Sequence, residues 1–169
     1  QQVELRVLEA GGYPNIGKQA SQLVLCTKWG ADAIILGTVS PDAYHDNLSD
    51  WVGNTPVFAT VNELTVSKEQ QKVLKGTVGV DWYEMGFQVG EFLAKRHPKG
   101  SGKTPIALLL GPQSSGGTKP VALGFYDAIK SSDVEIEVSY WADNDKELQR
   151  NLVQQVIDEP DIQLSLIHI

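Results

Sequence analysis

The chain has 169 residues, of which 41% are hydrophobic and 21% charged, and its formal net charge is −7 with a pI near 4.9. This length suits one large or two small α/β units, and the composition is ordinary for globular proteins. The acidic balance argues against a nucleic-acid partner, since nucleic-acid-binding proteins present a basic face. No apolar run is long enough to cross a membrane, so we expect no direct membrane insertion.

Metal, disulfide and catalytic chemistry find little support. The one cysteine, Cys26, has no internal partner, and the three histidines are scattered, so we expect no metal and no cofactor. Cys26 is interpreted as a packed helix residue. The loop GPQSSGGTK lacks the lysine position of a phosphate-binding P-loop, and neither G-x-G-x-x-G nor G-x-S-x-G is present. We therefore predict that the protein is not an enzyme.

Strand-like and helix-like segments alternate along the first half of the chain. Strands are predicted at 3–10, 32–37, 55–61 and 75–80. Helices are predicted at 16–30, 41–53 and 82–97, and the stretch 61–73 is polar and less regular. The apolar run DAIILG (32–37) is typical of a parallel strand buried on both faces.

A break rich in Pro, Gly, Ser and Lys at 98–103 precedes a second alternating set. Strands are predicted at 104–112 and 134–141, and helices at 119–132 and 144–159. Two such sets predict two lobes, each with a parallel sheet covered by helices. Residues 1–97 would form most of the N-terminal lobe with its crossover helix, 98–103 the hinge, and 104–163 the first half of the C-terminal lobe. The ending LSLIHI (164–169) is interpreted as a foreign cloning or read-through tail, with a genuine short strand as the alternative.

Two aromatic residues follow predicted strands. Ligands of open parallel sheets bind beyond the carboxyl ends of the strands, where Tyr13 and Asp81-Trp82 lie. A large aromatic at a strand-to-helix corner is a poor choice for a solvent-facing position. Tyr13 and Trp82 could form two walls of an aromatic box for a quaternary-ammonium-like group. Ordinary packing remains the alternative explanation of both residues.

Three phrases resemble the ribose-binding-like, type I periplasmic binding proteins: GVDWYEMGFQVGEFLAKRH, LLLGPQSSGGTKPVALGFYDAIK and ADNDKELQRNLVQQVIDEPDIQ. The resemblance implies a two-lobed α/β fold with a ligand cleft between the lobes. It also implies that the start of lobe one and the later half of lobe two are missing from this sequence. Asn151 matches a ligand-side position of the family.

The chain departs from the sugar binders of that family. Where they carry an arginine before the Gly-Phe helix segment, this chain has Lys119, and where they often carry Asp-Arg it has Val61-Asn62. Where many have Asp-Asn, it has Asp81-Trp82. A sugar needs many hydrogen-bonding partners to offset its desolvation, so these changes favour a smaller or more apolar ligand. A sugar-binding protein of an ABC importer and a LacI-like regulator remain alternatives.

A closer similarity is to members of the family that sense trimethylamine N-oxide, and it is carried by VLEAGGY, CTKWGADAIILG, GVDWYEMGFQ, GPQSSGGTKP and DNDKELQRNLVQQ. It implies a periplasmic protein that binds this ligand and works with the periplasmic domain of a sensor histidine kinase. The positions matching Tyr13 and Trp82 would be cleft aromatics, and Asp81 and Asn151 complete the expected ligand-binding set. Aromatic faces suit the methyl groups, and an indole N–H or a phenol O–H could address the oxygen.

Overall fold

A computed structural model describes residues 3–113 and 116–159, and the backbone of 165–168. The chain divides into two compact units, Gln1–Val80 and Asp81–Ile169. Each contains a three-stranded sheet in which neighbouring strands run parallel. The predicted alternation of strands and helices is therefore confirmed for both units.

The elements fall close to the predicted positions. The first unit contains α1 (Ile16–Lys28), β1 (Ile34–Leu36), α2 (Leu48–Val52), β2 (Val57–Val61), a 3₁₀ turn (Gln70–Lys72) and β3 (Leu74–Gly79). The second contains α3 (Trp82–Arg96), β4 (Thr104–Leu110), α4 (Thr118–Ile129), β5 (Val134–Trp141), α5 (Lys146–Asp158) and β6 (Ser165–His168). The strand orders are β1-β2-β3 and β5-β4-β6.

The core of the first unit lies on one face of its sheet, against α1, α2 and the irregular segment before β3. Its buried members are apolar: Ala20, Leu23, Ile34, Leu36, Tyr44, Leu48, Val52, Val57, Ala59, Leu64 and Val73. Cys26 packs against this cluster half-buried, and burial raises the pKa of its thiol. The interpretation of Cys26 as a packing residue is thereby confirmed.

The other face of the first sheet is open, which corrects the expectation that β1 is buried on both faces. Burial alternates along β1, and Ile35 in its centre is 71% exposed. Phe58, its partner across the parallel pair with β2, is 43% exposed. Among the described residues, the helices of this unit cover only the opposite face. β1 is therefore apolar in sequence but buried on one face only.

Two segments of the first unit differ from the sequence-based prediction. Residues 3–10 form no strand, because no neighbouring strand in the described chain accepts their hydrogen bonds; Val3, Leu5 and Val7 are exposed. The helix predicted at 41–53 is confined to α2, and the preceding residues form turns. Pro41 and the polar Asp42 and Asn47 favour those turns over a longer helix.

The second unit is built around β4, which is buried on both faces. Every residue from Ile106 to Leu110 has no exposed surface. Ile106, Leu108 and Leu110 pack with Phe125 of α4, while Ala107 and Leu109 pack with Val156 of α5. β4 therefore has the two-sided burial that is typical of central parallel strands.

Helix α3 belongs to the second unit, which differs from its predicted assignment to residues 1–97. The chain divides at 80/81, and α3 packs densely along α4. Glycines make this approach possible. A Cβ on Gly86 would overlap the backbone carbonyl of Val121, and one on Gly124 would overlap that of Tyr83. This close contact places α3 beside α4 in the second compact unit, and the division of the whole protein into lobes and hinge stays a prediction.

The segment 98–103, predicted as a hinge, is a turn anchored within the second unit. The Asp133 carboxylate accepts hydrogen bonds from the backbone N–H groups of Gly100 and Gly102 at 2.8 and 2.9 Å. Lys99 forms an ion pair with the same carboxylate at 3.2 Å. The Asp133 backbone also bonds to His97 and Thr104, the residues that flank the turn. These contacts fix the turn on both sides.

At the end of the described chain, residues 165–168 pair in parallel with β4. Leu164 and Ile169, the ends of the predicted foreign tail, lie outside the described residues. The foreign origin of this tail stays a prediction, because a backbone pairing carries no record of where a sequence came from.

We expect Gly124→Ala in the full-length protein to lower the free energy of unfolding by about 1–3 kcal/mol or more, since the new methyl group must displace the Tyr83 backbone. Gly17→Ala in α1 is the matched control: a Cβ there meets nothing within 4 Å. It should be neutral or stabilising by about 0.5–1 kcal/mol. Urea unfolding measures both, and equal stability of the two variants would contradict the close α3–α4 contact.

We expect Asp133→Asn to destabilise the protein at neutral pH and to matter less in acid. The Gly102 N–H, followed by Lys99 and the Gly100 N–H, holds the pKa of the Asp133 carboxyl below its usual range. A depressed pKa contributes stability above the unfolded value of about 3.9, and this is lost as pH falls through the folded value. The melting temperatures of wild type and variant should therefore converge below about pH 4. A constant difference at all pH values would contradict the charge-based role.

Candidate ligand-binding site

Trp82 begins α3, and its neighbour Asp81 caps the helix. The Asp81 side chain accepts a hydrogen bond from the backbone N–H of Glu84 at 2.9 Å. This bond satisfies one of the N–H groups left unpaired at a helix start. Asp81 is exposed, whereas Trp82 is half-buried. The cap fixes the point from which the Trp82 side chain leaves the backbone.

The Trp82 indole lies against the backbone of Gly117, at the start of α4. A Cβ placed on Gly117 would be 3.0 Å from Cδ2 and Cε2 of the ring and 3.3 Å from Nε1. The Nε1 atom is buried and has no hydrogen-bonding partner in the described part of the chain. A buried donor without a partner costs about 1–3 kcal/mol. The Trp82 indole thus combines an available N–H donor with an aromatic face, which suits a ligand that carries a hydrogen-bond acceptor.

Polar side chains converge at the carboxyl end of β4, and sequence reasoning missed them. A Cβ on Gly111, which follows β4, would lie 3.2 Å from both Thr118 Oγ1 and Asn144 Oδ1. Gln149 donates through Nε2 to the carbonyl of Ala142, which follows β5, at 3.0 Å. The available signal was that the segments carrying these residues follow β4 and β5 in the chain. They line the sheet edge where ligands of this architecture bind.

Tyr13 stands on a tight turn of the first unit, before α1. Gly11 and Gly12 precede it with φ angles of +85° and +126°, a region that favours glycine. The carbonyl of Gly12 accepts from Asn15 N–H at 3.2 Å, and Tyr13 is half-buried. The aromatic box of Tyr13 and Trp82 stays a prediction, because the two residues belong to separate units.

Asn151 lies in the second turn of α5 with an exposed side chain. The helix begins at Asp145, whose carboxylate accepts from the N–H groups of Glu147 and Leu148 at 3.0 Å each. The Asn151 side chain therefore plays no part in capping α5. Its predicted contact with ligand stays a prediction.

A buried glutamine holds the loop after β1 in the first unit, and no sequence pattern predicted this role. Gln19 of α1 donates to the carbonyl of Gly37 at 2.9 Å, just after β1. Its Oε1 accepts from the Val39 N–H at 3.1 Å and from the Tyr44 hydroxyl at 3.2 Å. Burial raises the pKa of Tyr44 to about 12, so this hydroxyl remains a donor. The loop after β1 is thereby held to α1.

Asn62, which replaces the arginine common in sugar binders, turns into the protein. Its Nδ2 donates to the Thr38 carbonyl at 3.0 Å, and both residues are buried. Val61 before it has φ +68°, and the Asn62 N–H bonds to the Thr60 carbonyl at 2.8 Å. A β-branched residue in this region is strained, so the surrounding bonds must hold it there. Asn62 thus fixes the end of β2, with its amide committed inside the protein.

The described residues offer no metal-binding cluster of His, Cys, Asp and Glu side chains. None of the helices described is long and apolar enough to span a membrane.

Comparison with known proteins assigns the architecture. The sequence family described as periplasmic binding proteins and sugar-binding domain of the LacI family matches residues 1–168. The chain belongs to this family. Its predicted fold class, parallel sheets flanked by helices in a periplasmic-binding-protein fold, is confirmed. The family is one of binding proteins.

Two curated members of the family, the periplasmic protein TorT of Escherichia coli O157:H7 and of strain K12, are each 40% identical to the chain over 159 residues. These alignments take in 92% of this chain and 43% of each relative, so the chain spans less than half their length.

Solved structures of the TorS sensor domain–TorT complex, without ligand and with TMAO (trimethylamine N-oxide), match with a TM-score of 0.86 and 66% identity. They cover 96% and 97% of this chain, and the match spans 54% of each solved chain. An ABC transporter solute-binding protein from Bradyrhizobium sp. BTAi1 with bound bis-tris is more distant. It has a TM-score of 0.68 and 30% identity over 94% of this chain and 47% of its own. The resemblance to family members that sense trimethylamine N-oxide, inferred from the sequence, is confirmed as a similarity to TorT.

We expect Asp81→Ala to cost about 1 kcal/mol of stability, because α3 loses its side-chain cap. Asp81→Ser is the matched variant, since a serine hydroxyl can accept the same bond without carrying a charge. Thermal unfolding of the two full-length variants should place Asp81→Ser near wild type. A serine variant as unstable as the alanine one would contradict the capping role.

Proposed function

We propose that the protein is a non-enzymatic, periplasmic ligand-binding sensor. It binds trimethylamine N-oxide and signals to a TorS-type sensor histidine kinase, which induces trimethylamine N-oxide respiration. The partners are thus one small molecule and the periplasmic sensor domain of that kinase. The similarity to TorT supports the identity of both, since the solved complexes pair TorT with the TorS sensor domain with and without this ligand.

The observation that carries this proposal is the Trp82 indole, whose buried Nε1–H has no partner among the described residues and whose ring offers an aromatic face. Trimethylamine N-oxide combines three methyl groups on a cationic nitrogen with one strongly accepting oxygen. An aromatic face attracts the methylated cation by about 0.5–2 kcal/mol. An indole N–H can donate to the oxygen. Trp82 therefore offers both chemical features that this ligand requires.

Tyr13, Asp81 and Asn151 complete the proposed ligand-binding set. Tyr13 adds an aromatic face and a hydroxyl from the first unit. Asp81 would act chiefly by fixing the start of α3 and hence the Trp82 backbone, because its carboxylate already accepts the Glu84 N–H. Asn151 would contribute an amide from α5, where its side chain is exposed.

Sugar binding for an ABC importer is the less favoured function. Sugar-binding sites need many exposed hydrogen-bonding groups to offset the desolvation of hydroxyls. At the position where sugar binders often carry an arginine, Asn62 instead commits its amide to the buried Thr38 carbonyl. Trp82 presents mostly apolar surface at the start of α3. Both features favour a small ligand with one acceptor.

Signalling requires that ligand binds one conformation of the sensor in preference to another, because only differential affinity shifts a population. In two-lobed binding proteins that difference comes from closure of the lobes on the ligand. The surface offered to the kinase would change with that closure. The sensor would therefore act by a population shift, with no chemical change in the ligand.

We expect Trp82→Phe in the full-length protein to weaken trimethylamine N-oxide binding roughly 3- to 10-fold, since it keeps an aromatic face and removes the donor. Isothermal titration measures the change. Trp29→Phe is the matched control, because Trp29 is 40% exposed and stacks with Arg6 in the first unit. It should leave affinity unchanged.

Unchanged affinity in Trp82→Ala, which removes the face as well as the donor, would contradict the proposed role of Trp82. Titration of the wild type with a pentose and hexose panel separates the two functions. A sugar response without any response to trimethylamine N-oxide would replace the sensor with the importer-type function.

A further inference from the structure

We infer that Gly117 is a positioning residue for the Trp82 indole and a specificity-determining position of the candidate site. The absence of a side chain at position 117 allows the ring to lie against the start of α4 with Nε1 buried. The specificity part of this inference rests on the proposed function, whereas the positioning part rests on the geometry alone.

The backbone at position 117 does not itself require glycine. Its φ and ψ angles are −87° and −33°, which any L-residue adopts readily. Gly117 precedes α4 with helical angles and makes no side-chain cap, so capping gives no reason for a glycine there. Conformation and capping therefore leave the choice of glycine unexplained.

The space at position 117 favours glycine. A Cβ there would lie 3.0 Å from two carbon atoms of the Trp82 ring, so the ring would have to give way by a few tenths of an ångström. The neighbouring atoms belong to a rigid aromatic system, which cannot yield as the end of a flexible side chain would. A methyl group would therefore shift the ring as a unit by a few tenths of an ångström.

The ring has little room to yield from its own side. Trp82 is the first residue of α3, which Asp81 caps. Gly86 and Gly124 hold α3 against α4 at backbone contact, so the helix that carries the ring cannot retreat from the helix that carries Gly117. A side chain at 117 would therefore rotate the indole and redirect its Nε1–H.

The first test is a spectroscopic signature of the indole in the full-length protein. In ¹H–¹⁵N spectra, the Trp82 Nε1–H signal is assigned as the one lost in Trp82→Phe. We expect Gly117→Ala to shift this signal and to leave the indole signals of Trp29, Trp51 and Trp141 in place. Gly117→Ser should do the same, and this second variant keeps the test valid if the alanine variant fails to fold.

The second test is affinity. We expect Gly117→Ala to weaken trimethylamine N-oxide binding by roughly tenfold, as expected of an overpacked contact. Gly17→Ala, at a position with open space, is the matched control and should bind as wild type does. In a double-mutant cycle, Gly117→Ala should add no further loss once Trp82 is alanine, since the ring it displaces is gone.

An unmoved Trp82 signal in both Gly117 variants would overturn the positioning role. A moved signal with unchanged affinity would overturn the specificity role. A moved signal in a protein whose wild type does not bind trimethylamine N-oxide would support positioning and reject the proposed function, so the two failures are distinguishable.

Discussion

The second unit depends on one constraint, the backbone-to-backbone approach of α3 and α4. Gly86 and Gly124 make that approach possible, because any side chain at either position would overlap the opposite helix. The pair then covers one face of β4, whose central residues are fully buried. It also fixes the distance between the residue that starts α3 and the loop that starts α4. The geometry of the candidate site therefore depends on the contact between α3 and α4, in which no site residue takes part.

In the first unit, hydrogen bonds rather than close helix packing fix the segments that follow the strands. Buried polar side chains hold the segments after β1 and β2. Gln19 joins α1 to the loop after β1, and Asn62 joins the end of β2 to Thr38. Buried amides that satisfy several backbone groups specify one loop conformation, since any other would leave those groups unpaired. The strained φ of Val61 persists within this network. Steric fit organises one unit and hydrogen bonding the other.

Sequence patterns predicted most of the elements, because hydrophobic periodicity reflects local geometry that tertiary contacts then use. The positions of α1, α3, α4, α5 and the strands follow from it. The misses concern partners: residues 3–10 alternate like a strand yet have no strand to pair with in the described chain, and an apolar β1 is covered on one face only. Trp82 was predictable as an aromatic at a strand end. The close approach of Gly117 was not, because periodicity carries no information on which glycine faces which ring.

The turn at 98–103 affects both limited proteolysis and the choice of truncation points. Its Lys, Gly and Ser residues invite trypsin-like proteolysis, which requires a segment to extend into the protease active site. Asp133 pins the backbone at Gly100 and Gly102, so the peptide cannot extend without breaking those bonds. Limited digestion would therefore spare the stretch whose composition looks most like a linker, and a truncation designed there would sever α3 from the sheet it covers.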